Sequence, residues 1–576
     1  MARRLGVVGA LLAGALAVSG CAGATVSTAS AQDPATAGGE VTLLSTAAIA
    51  TLDPQRISDP TIAALTGRTL HRTLTAYAPT ADGATQATVV GDLATDTGKP
   101  SEDLKTWRFT LRDDATWQDG SAVTCEDVKH GVARTFATDV VTGGGTDALA
   151  VLAIPRSPDG RSTYLGPYVT TPESEAGRAA FDQAVSCDGA TVTFVLGEPT
   201  SDFNEMVTLP GFAPVQKATD PGAAGGPLTS NGPYQVQDSW DAKAGGLLVR
   251  NPKWTAQSDP VRKALPDRIR VVTSQESATI MARVLEDGDE ATTAVSLTPA
   301  PPALQQQIQA VDTLRARSLS VPTGVVDHLV PSMASPSMGN PAVRAALAAA
   351  TNREGYAVAI AGRSSIRPHA SVIPSTLLAR AAHGVSVQVA DPAKARELLT
   401  GAGQTLPVPI RVAYRPGVAA DKAMAALVAG WRAGGFEPTL VPVEQSYFAT
   451  IAAPGAAANH DVFWSNWAPA WGSASTVLPP LFDSSLNITA AGAGRDYGLW
   501  TNPDWNARIR TIGATADPMA REKAWAEADD VLLADHAYVA LAERSAVHLV
   551  GSDVRGLRPM PFGGGMVDLA VLGVDS

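Results

Sequence analysis

The sequence predicts an α/β protein with several sheets, because strand patterns and helix patterns alternate along the chain. Residues 106–111 alternate strictly between large apolar and polar side chains, which is typical of a half-buried strand. Asn340 and Asp391 each stand directly before a proline and a helix-forming stretch, the pattern of a capped helix with proline in its first turn. The 576 residues suffice for about three folding units of roughly 100–200 residues each.

The other elements follow in chain order, and each is bounded by a turn or a capping signal. Thr124 is a predicted N-cap, since acidic residues fill the first turn that follows it. Gly232 and Pro233 break the chain before another strand. The strand patterns cover residues 41–44, 106–111, 234–236, 247–250, 410–414 and 461–464. The helix patterns cover residues 124–136, 340–350, 391–399, 419–430 and 518–533.

Charge and motif content exclude several classes of protein. The net charge is −12 and the basic residues are scattered, so we expect no nucleic-acid partner, which would need a basic face. The sequence has no phosphate-binding loop, no Gly-x-Ser-x-Gly elbow and no His-Glu-x-x-His helix, and its eight histidines lack metal-ligand spacing. We therefore expect no enzyme, no cofactor and no metal site. Two glycine runs, residues 143–145 and 563–565, are predicted loops.

The N-terminus has the pattern of an export signal. Arg3 and Arg4 precede an apolar stretch over residues 5–18, which is shorter than the roughly 20 residues that span a bilayer. Val-Ser-Gly-Cys at 18–21 resembles a bacterial lipobox, which predicts a signal peptide over 1–20, a diacylated Cys21 and a flexible tether over 21–39. We expect a lipid-anchored protein on the outer face of the cytoplasmic membrane. The alternative is an ordinary cleaved signal with a coincidental cysteine.

Export determines how the other two cysteines are interpreted. Cys125 and Cys187 are the pair that remains after lipidation, and an isolated pair outside the cytoplasm is best explained as a disulfide. Such a bridge would close a loop of about 60 residues. The alternative is two buried free thiols, which pack as small apolar side chains.

An ordered set of motifs resembles the extracellular solute-binding proteins of family 5, the peptide/nickel/opine class. Trp-Arg-Phe-Thr-Leu-Arg at 107–112, Trp-Gln-Asp-Gly at 117–120 and Thr-Cys-Glu-Asp-Val at 124–128 carry the resemblance. Further matches in the same order are Ser-Asn-Gly-Pro-Tyr at 230–234, Leu-Val-Arg-Asn-Pro-Lys-Trp at 248–254, Val-Arg-Ala-Ala-Leu at 343–347, Asn-Arg at 352–353, Asp-Pro-Ala-Lys-Ala at 391–395 and Asn-Pro-Asp at 502–504. The set covers about residues 93–556.

The resemblance implies a type II periplasmic binding protein of cluster C, with two hinged lobes and an extra inserted domain. We expect domain I over 40–80, 214–300 and 541–576, domain II over 81–213, and domain III over 301–540. A small-molecule or peptide-like ligand would be enclosed when the lobes close. The implied partners are ABC transporter permease subunits, and we expect a monomer.

The predicted ligand site centres on the aromatic-rich segment 461–482. Peptide-binding members carry Trp-x-x-Asp-Tyr here, and that Asp pairs with the free amino terminus of the peptide. This chain has Ala470 between Trp467 and Trp471, so we expect a pocket that does not demand a free amino terminus and stacks a bulky solute on the two indoles. The alternative is that the indoles pack in the core, as we expect for Trp464.

Other predicted ligand contacts flank this segment or come from elsewhere in the chain. Ser473 and Asn231 could supply polar contacts, and Asp496, with Tyr497 beside it, could approach from another loop and replace the missing carboxylate. The leading function is a solute receptor for an ABC importer, with an oligopeptide, a modified peptide, a glycan or another bulky solute as ligand. The alternative is an exported sensor or cell-envelope interaction protein on the same fold.

Overall fold

The computed structural model describes residues 30–80, 88–157, 160–226 and 228–575. The predicted signal peptide, the lipidation site Cys21 and the first part of the predicted tether lie outside these residues. None of the helices within the described ranges is long and apolar enough to cross a membrane.

The strands of the described residues agree with the sequence patterns and add others between them. In chain order they are β1 (Glu40–Leu44), β2 (Thr75–Tyr77), β3 (Val89–Gly91), β4 (Lys99–Pro100), β5 (Thr106–Thr110), β6 (Val185–Asp188), β7 (Thr191–Val195), β8 (Tyr234–Val236), β9 (Gly245–Arg250), β10 (Arg268–Val272), β11 (Ala294–Ser296), β12 (Ser318–Pro331), β13 (Ile366–Pro368), β14 (Val408–Tyr414), β15 (Phe436–Pro442), β16 (Val462–Trp467), β17 (Val539–Leu549), β18 (Val554–Arg555) and β19 (Gly573–Val574).

The helices confirm the predicted capping signals. Thr124 caps the helix that begins at Cys125 with a reciprocal pair of hydrogen bonds to Asp127, and Asn340 and Asp391 cap the helices that begin at Pro341 and Pro392. In chain order the helices are α1 (Pro60–Thr69), α2 (Cys125–Arg134), α3 (Asp147–Val151), α4 (Glu175–Ala184), α5 (Phe203–Met206), α6 (Ser277–Glu286), α7 (Pro302–Ala310), α8 (Asp312–Ala316), α9 (Pro341–Ala350), α10 (Arg353–Ile360), α11 (Leu378–Ala382), α12 (Pro392–Gly401), α13 (Val418–Ala433), α14 (Tyr447–Ala452), α15 (Ala456–Asn459), α16 (Leu478–Phe482), α17 (Ser484–Asn487), α18 (Pro503–Gly513) and α19 (Pro518–Ala534).

Two mixed sheets form the centres of two lobes, which confirms the α/β class. The first lobe contains a five-stranded sheet in the order β11-β1-β10-β9-β8, where β1 runs parallel to β10 and β11. The second lobe contains a six-stranded sheet in the order β13-β17-β12-β16-β14-β15. Helices α9, α10, α12 and α13 pack on this second sheet around the buried Tyr356, Leu427 and Trp431.

A third, smaller sheet has its own core and lies within the first lobe. It is antiparallel, in the order β4-β5-β7-β6, and its inner face carries the buried Trp107 and Phe109. Trp117 lies in the same core and donates its indole N–H to Asp127. A disulfide joins Cys125 at the start of α2 to Cys187 in β6, with 5.8 Å between the Cα atoms.

Two long strands, β12 and β17, pair along their length and connect the lobes. Their antiparallel register shifts twice, between Pro322 and Val326 and between Asp327 and His328. Strand β17 runs through residues 540 and 541, which were the predicted boundary between domain III and domain I. Helices α7 and α8, expected in domain III, pack instead through Ile308 and Leu314 against β1 and α6 of the first lobe. The division into domains I, II and III stays a prediction.

The prediction of a flexible tether was wrong for residues 30–39. Ala31 is buried in the first-lobe core, and its carbonyl accepts the backbone N–H of Leu557. The carbonyl of Asp33 accepts the N–H of Gly556, and the Gln32 side chain donates to the carbonyl of Ser318. These backbone bonds to distant segments hold the polar, small-residue stretch in place, which its composition alone did not indicate.

Replacing both cysteines of the bridge with serine should lower the free energy of unfolding by roughly 2–5 kcal/mol, because the unfolded chain regains the freedom of the closed loop. Denaturant titration of wild-type and Cys125→Ser/Cys187→Ser protein measures this difference. Reductant should destabilise the wild type and leave the double variant unchanged. Alkylation of both thiols in folded, unreduced protein would contradict the bridge.

Candidate ligand-binding site between the lobes

A cavity of about 580 Å³ lies where the two lobes meet. The first lobe contributes side chains between residues 54 and 80, together with Asp147 and residues 208–211. Strand β12 contributes residues 319–324, and the loop after β16 contributes residues 468–470. The C-terminal loop over 559–565 completes the wall. The cavity therefore collects segments that are far apart in sequence.

Both glycine runs lie at this cavity, as loops, and close backbone approaches require them. A Cβ on Gly144 would lie 1.9 Å from the carbonyl oxygen of Gln55. Gly565 has φ +88°, and a Cβ there would lie 2.8 Å from Cγ2 of Thr323. Any other residue would force these loops away from the neighbouring chain and reshape the wall.

The arginines in the cavity wall are already paired with buried carboxylates. Arg68 donates to Asp568 at 2.9 Å and to the carbonyl of Tyr77. Arg262 pairs with Asp92 at 2.9 Å and with Asp259 at 3.2 Å. These partners compensate the positive charges, so the arginines offer a ligand little net attraction.

Two further titratable side chains line the wall. The His71 ring is hydrogen-bonded through Nε2 to the carbonyl of Leu52, and burial lowers its pKa to about 4, so it is neutral at physiological pH. Asp147 is half-buried, and burial raises the pKa of its carboxyl above the usual range. Of the charged side chains described in the wall, Asp147 alone has no hydrogen bond or ion pair with another residue.

A group of polar contacts joins the lobes beside the cavity; we call it the lobe-contact cluster (Tyr77, Asp202, Glu205, Trp471, Gly472, Ser475, Arg521 and Glu522). The Trp471 indole donates to Asp202 at 2.9 Å, and the Ser475 hydroxyl donates to the same carboxylate. The backbone N–H of Gly472 donates to the Tyr77 hydroxyl at 2.8 Å, which itself donates to Glu205 at 3.0 Å. These bonds connect the loop after β16 to the first lobe.

Arg521 of α19 makes the charged contact of this cluster. Its guanidinium donates to the carbonyl of Ser201 at 3.1 Å and lies 3.4 Å from a Glu205 oxygen. Two buried carboxylates, those of Asp202 and Glu522, and the half-buried carboxylate of Glu205 surround this single guanidinium. Burial, with repulsion from Asp202, therefore raises the pKa of Glu205 to about 7, and burial also raises the pKa of Glu522.

Three of the sequence-predicted site residues lie at or near the cavity. Ala470 lines it, and its N–H donates to the Thr476 hydroxyl. Trp471 is in the lobe-contact cluster and packs against the core of the small sheet. Trp467 does not line the cavity; its indole donates to the carbonyl of Thr476, and the Arg495 guanidinium lies 4.6 Å from its ring centre.

The other four predicted contacts are buried in the protein and do not line the cavity. Ser473 donates to Glu522, and Asn231 accepts the backbone N–H of Arg72. Asp496 accepts the N–H of Trp500, and burial raises its pKa to about 8, so it carries little charge at neutral pH. Tyr497 packs in the core of the second lobe between Phe448 and Phe463. The polarity pattern of the sequence did not show that these four residues are buried by packing and are not exposed to a ligand.

The residues that build the lobe-contact cluster from the first lobe and from α19 were not predicted from the sequence. Asp202 and Ser475 are separated by 273 positions, and Arg521 and Glu205 by 316. The cavity residues Asp147 and Phe562 were also missed. The two glycine runs gave the local signal, one just before Asp147 and one just after Phe562, because successive glycines indicate a close backbone approach.

Comparison with known proteins agrees with this architecture. The family model for bacterial extracellular solute-binding proteins, family 5, matches residues 88–487. The probable ABC transporter periplasmic-binding protein SapA of Escherichia coli K12 is 27% identical over 268 residues, which are 46% of this chain and 47% of SapA. The periplasmic oligopeptide-binding protein OppA of Salmonella typhimurium is 27% identical over 163 residues, 27% of each chain. The chain thus matches about half or less of these relatives' length.

Among solved structures, the clavulanic acid biosynthesis oligopeptide binding protein 2 superimposes with a TM-score of 0.82 at 26% identity. The match covers 95% of this chain and 99% of the other. The fold is therefore that of the type II periplasmic binding proteins, with two lobes and an extra domain.

Glu205 should make stability depend on pH. Its folded pKa of about 7 lies above its ordinary value, so the folded protein holds an extra proton between about pH 4.5 and 7, and the stability that this proton contributes is lost as the pH rises through 7. We expect Glu205→Gln to stabilise the protein relative to wild type more at pH 8 than at pH 5, by at most about 3 kcal/mol.

Denaturant titrations at both pH values measure this double difference. Glu198→Gln removes an exposed carboxylate from the same domain and serves as the matched control, with no expected pH effect. An equal effect of Glu205→Gln at both pH values would show that Glu205 is ionised in the folded protein.

Proposed function

The chain belongs to the bacterial extracellular solute-binding proteins of family 5, and on that premise we propose that it captures a peptide-like solute between its lobes and delivers it to an ABC import permease. The observation that carries the proposal is the cavity of about 580 Å³, whose wall comes from both lobes and the extra domain. Opening the lobes would break this wall and release the ligand, as hinge closure requires.

The size and chemistry of the cavity support a small peptide or a solute of similar bulk. Its volume falls within the roughly 300–1,000 Å³ of ordinary ligand pockets. The wall is rich in Pro, Ala and Gly, and it includes the aromatic rings of Tyr77 and Phe562. Relatives named for oligopeptide binding point to the same ligand class.

Ala470 supports the proposal that the loop after β16 makes no salt bridge to the free amino terminus of a bound peptide. It lines the cavity, and its methyl group can neither ionise nor accept a hydrogen bond. A bound ammonium needs a charged partner in a partly desolvated site. A positively charged ligand would therefore have to find its carboxylate elsewhere in the wall.

We also propose that Cys21 anchors the protein through a diacylglyceryl group to the outer face of the cytoplasmic membrane. The support is the lipobox-like Val-Ser-Gly-Cys at 18–21 after a basic and apolar leader. An anchored receptor would remain near its permease, and the protein would act as a monomer with the membrane contacted through the lipid alone.

Filling the cavity should abolish ligand capture. We expect Ala470→Trp to reduce binding of a mixed tripeptide library at least tenfold, because the indole would occupy the space between the lobes. Native mass spectrometry after incubation with the library measures retained mass and identity. Ala419→Trp makes the same change at an exposed position of α13 and should bind as wild type does. Retained binding in Ala470→Trp would place the ligand outside this cavity.

Replacing the lipidated residue should release the protein from the membrane. Cys21→Ala removes the thiol that would carry the acyl chains, so the variant should appear in the soluble extracytoplasmic fraction. Fractionation and the mass of the N-terminal peptide measure the change. Membrane retention with an unchanged peptide mass would contradict lipidation.

A further inference from the structure

The glycine run at 143–145 places one carboxylate on the cavity wall. The run crosses the turn at Pro54–Arg56 so closely that a Cβ on Gly144 or Gly143 would lie 1.9 or 3.2 Å from a carbonyl oxygen of that turn. Gly143 also has φ +91°, which disfavours other residues. Helix α3 begins two residues later with Asp147, whose side chain lines the cavity. The glycines therefore fix where Asp147 sits.

The Asp147 carboxylate has no ion-pair partner among the residues that the structure describes. Among the described residues it makes no hydrogen bond or ion pair with another side chain, whereas Arg68 and Arg262 of the same wall are both paired. Arg495 is the cation that attracts it, but the Arg495 guanidinium lies over the Trp467 ring and forms no ion pair with Asp147. A half-buried carboxylate without a partner is unfavourable, and a ligand cation would relieve that cost.

We propose that Asp147 binds a cationic group of the ligand, an ammonium or a guanidinium. This inference rests on the proposed function and narrows its ligand class to positively charged peptides or solutes of similar bulk. The charged contact comes from the extra domain of the first lobe and not from the loop after β16, where Ala470 stands. Charge-assisted hydrogen bonds to the carboxylate would hold the cation on one side of the cavity.

Calorimetry with three matched peptides tests the proposal and separates the two sources of charge. Trialanine amide carries an α-ammonium, N-acetyl-Ala-Arg-Ala amide carries a guanidinium, and N-acetyl-trialanine amide carries neither. Wild type should bind at least one charged peptide about tenfold or more tightly than the neutral one. Asp147→Asn should remove that difference and leave neutral-peptide affinity unchanged. Asp113→Asn, at an exposed site of the same domain, should behave as wild type.

The shift in melting temperature with arginine amide and with citrulline amide tests the Asp147 contact independently of whether the protein binds peptides. The two compounds differ in guanidinium against urea, so only a charge contact distinguishes them. A larger shift with arginine amide that Asp147→Asn abolishes supports the inference even if none of the three peptides binds, in which case the peptide-receptor proposal alone fails. Both compounds also carry an α-ammonium, so equal shifts that Asp147→Asn abolishes support an ammonium contact. A shift with arginine amide that Asp147→Asn leaves unchanged, or no shift from either compound together with no charge preference among the three peptides, would overturn the inference.

Discussion

The contact of Arg521 with Ser201 and Glu205 is the interaction on which the site depends, because it joins α19 of one lobe to the extra domain of the other. Together with the bonds that Trp471, Gly472 and Ser475 make to the first lobe, this contact holds the two sides of the cavity against each other, since those sides come from both lobes. Desolvating one guanidinium and three carboxylates together is unfavourable, and the energy of this arrangement changes with proton uptake. A contact of this kind can hold the lobes together and still be opened, which a purely apolar interface of the same size would resist.

The fold was largely predictable because its signals are local. Capping residues such as Thr124 and Asn340, and the strict alternation at 106–111, fix elements within a few positions of their actual bounds. The disulfide was predictable because few cysteines remain to be paired. The ordered motifs then gave the architecture. The signal for each predicted helix, strand or disulfide lies within one turn of helix, one strand or one residue type.

The site was mostly not predictable, because its residues meet only through tertiary packing. Trp467 and Ser473 were predicted as ligand contacts, yet the first donates to the Thr476 carbonyl and the second is wholly buried against Glu522. Asp496 carries a carboxyl in a loop, but its burial is decided by contacts that its own segment does not reveal. Ala470 was identified because it stands where the family motif has an aspartate.

The docking of residues 30–39 has a practical consequence for recombinant work. This segment accepts backbone hydrogen bonds from Gly556 and Leu557, and the carbonyl of Gln32 accepts a hydrogen bond from Arg558. The C-terminal loop that lines the cavity begins at the next residue, Pro559. A truncation at residue 40 would leave these donors unsatisfied and would loosen the loop beside the ligand. Protein intended for affinity measurements should therefore start no later than Ser30, even though residues 30–39 do not line the cavity.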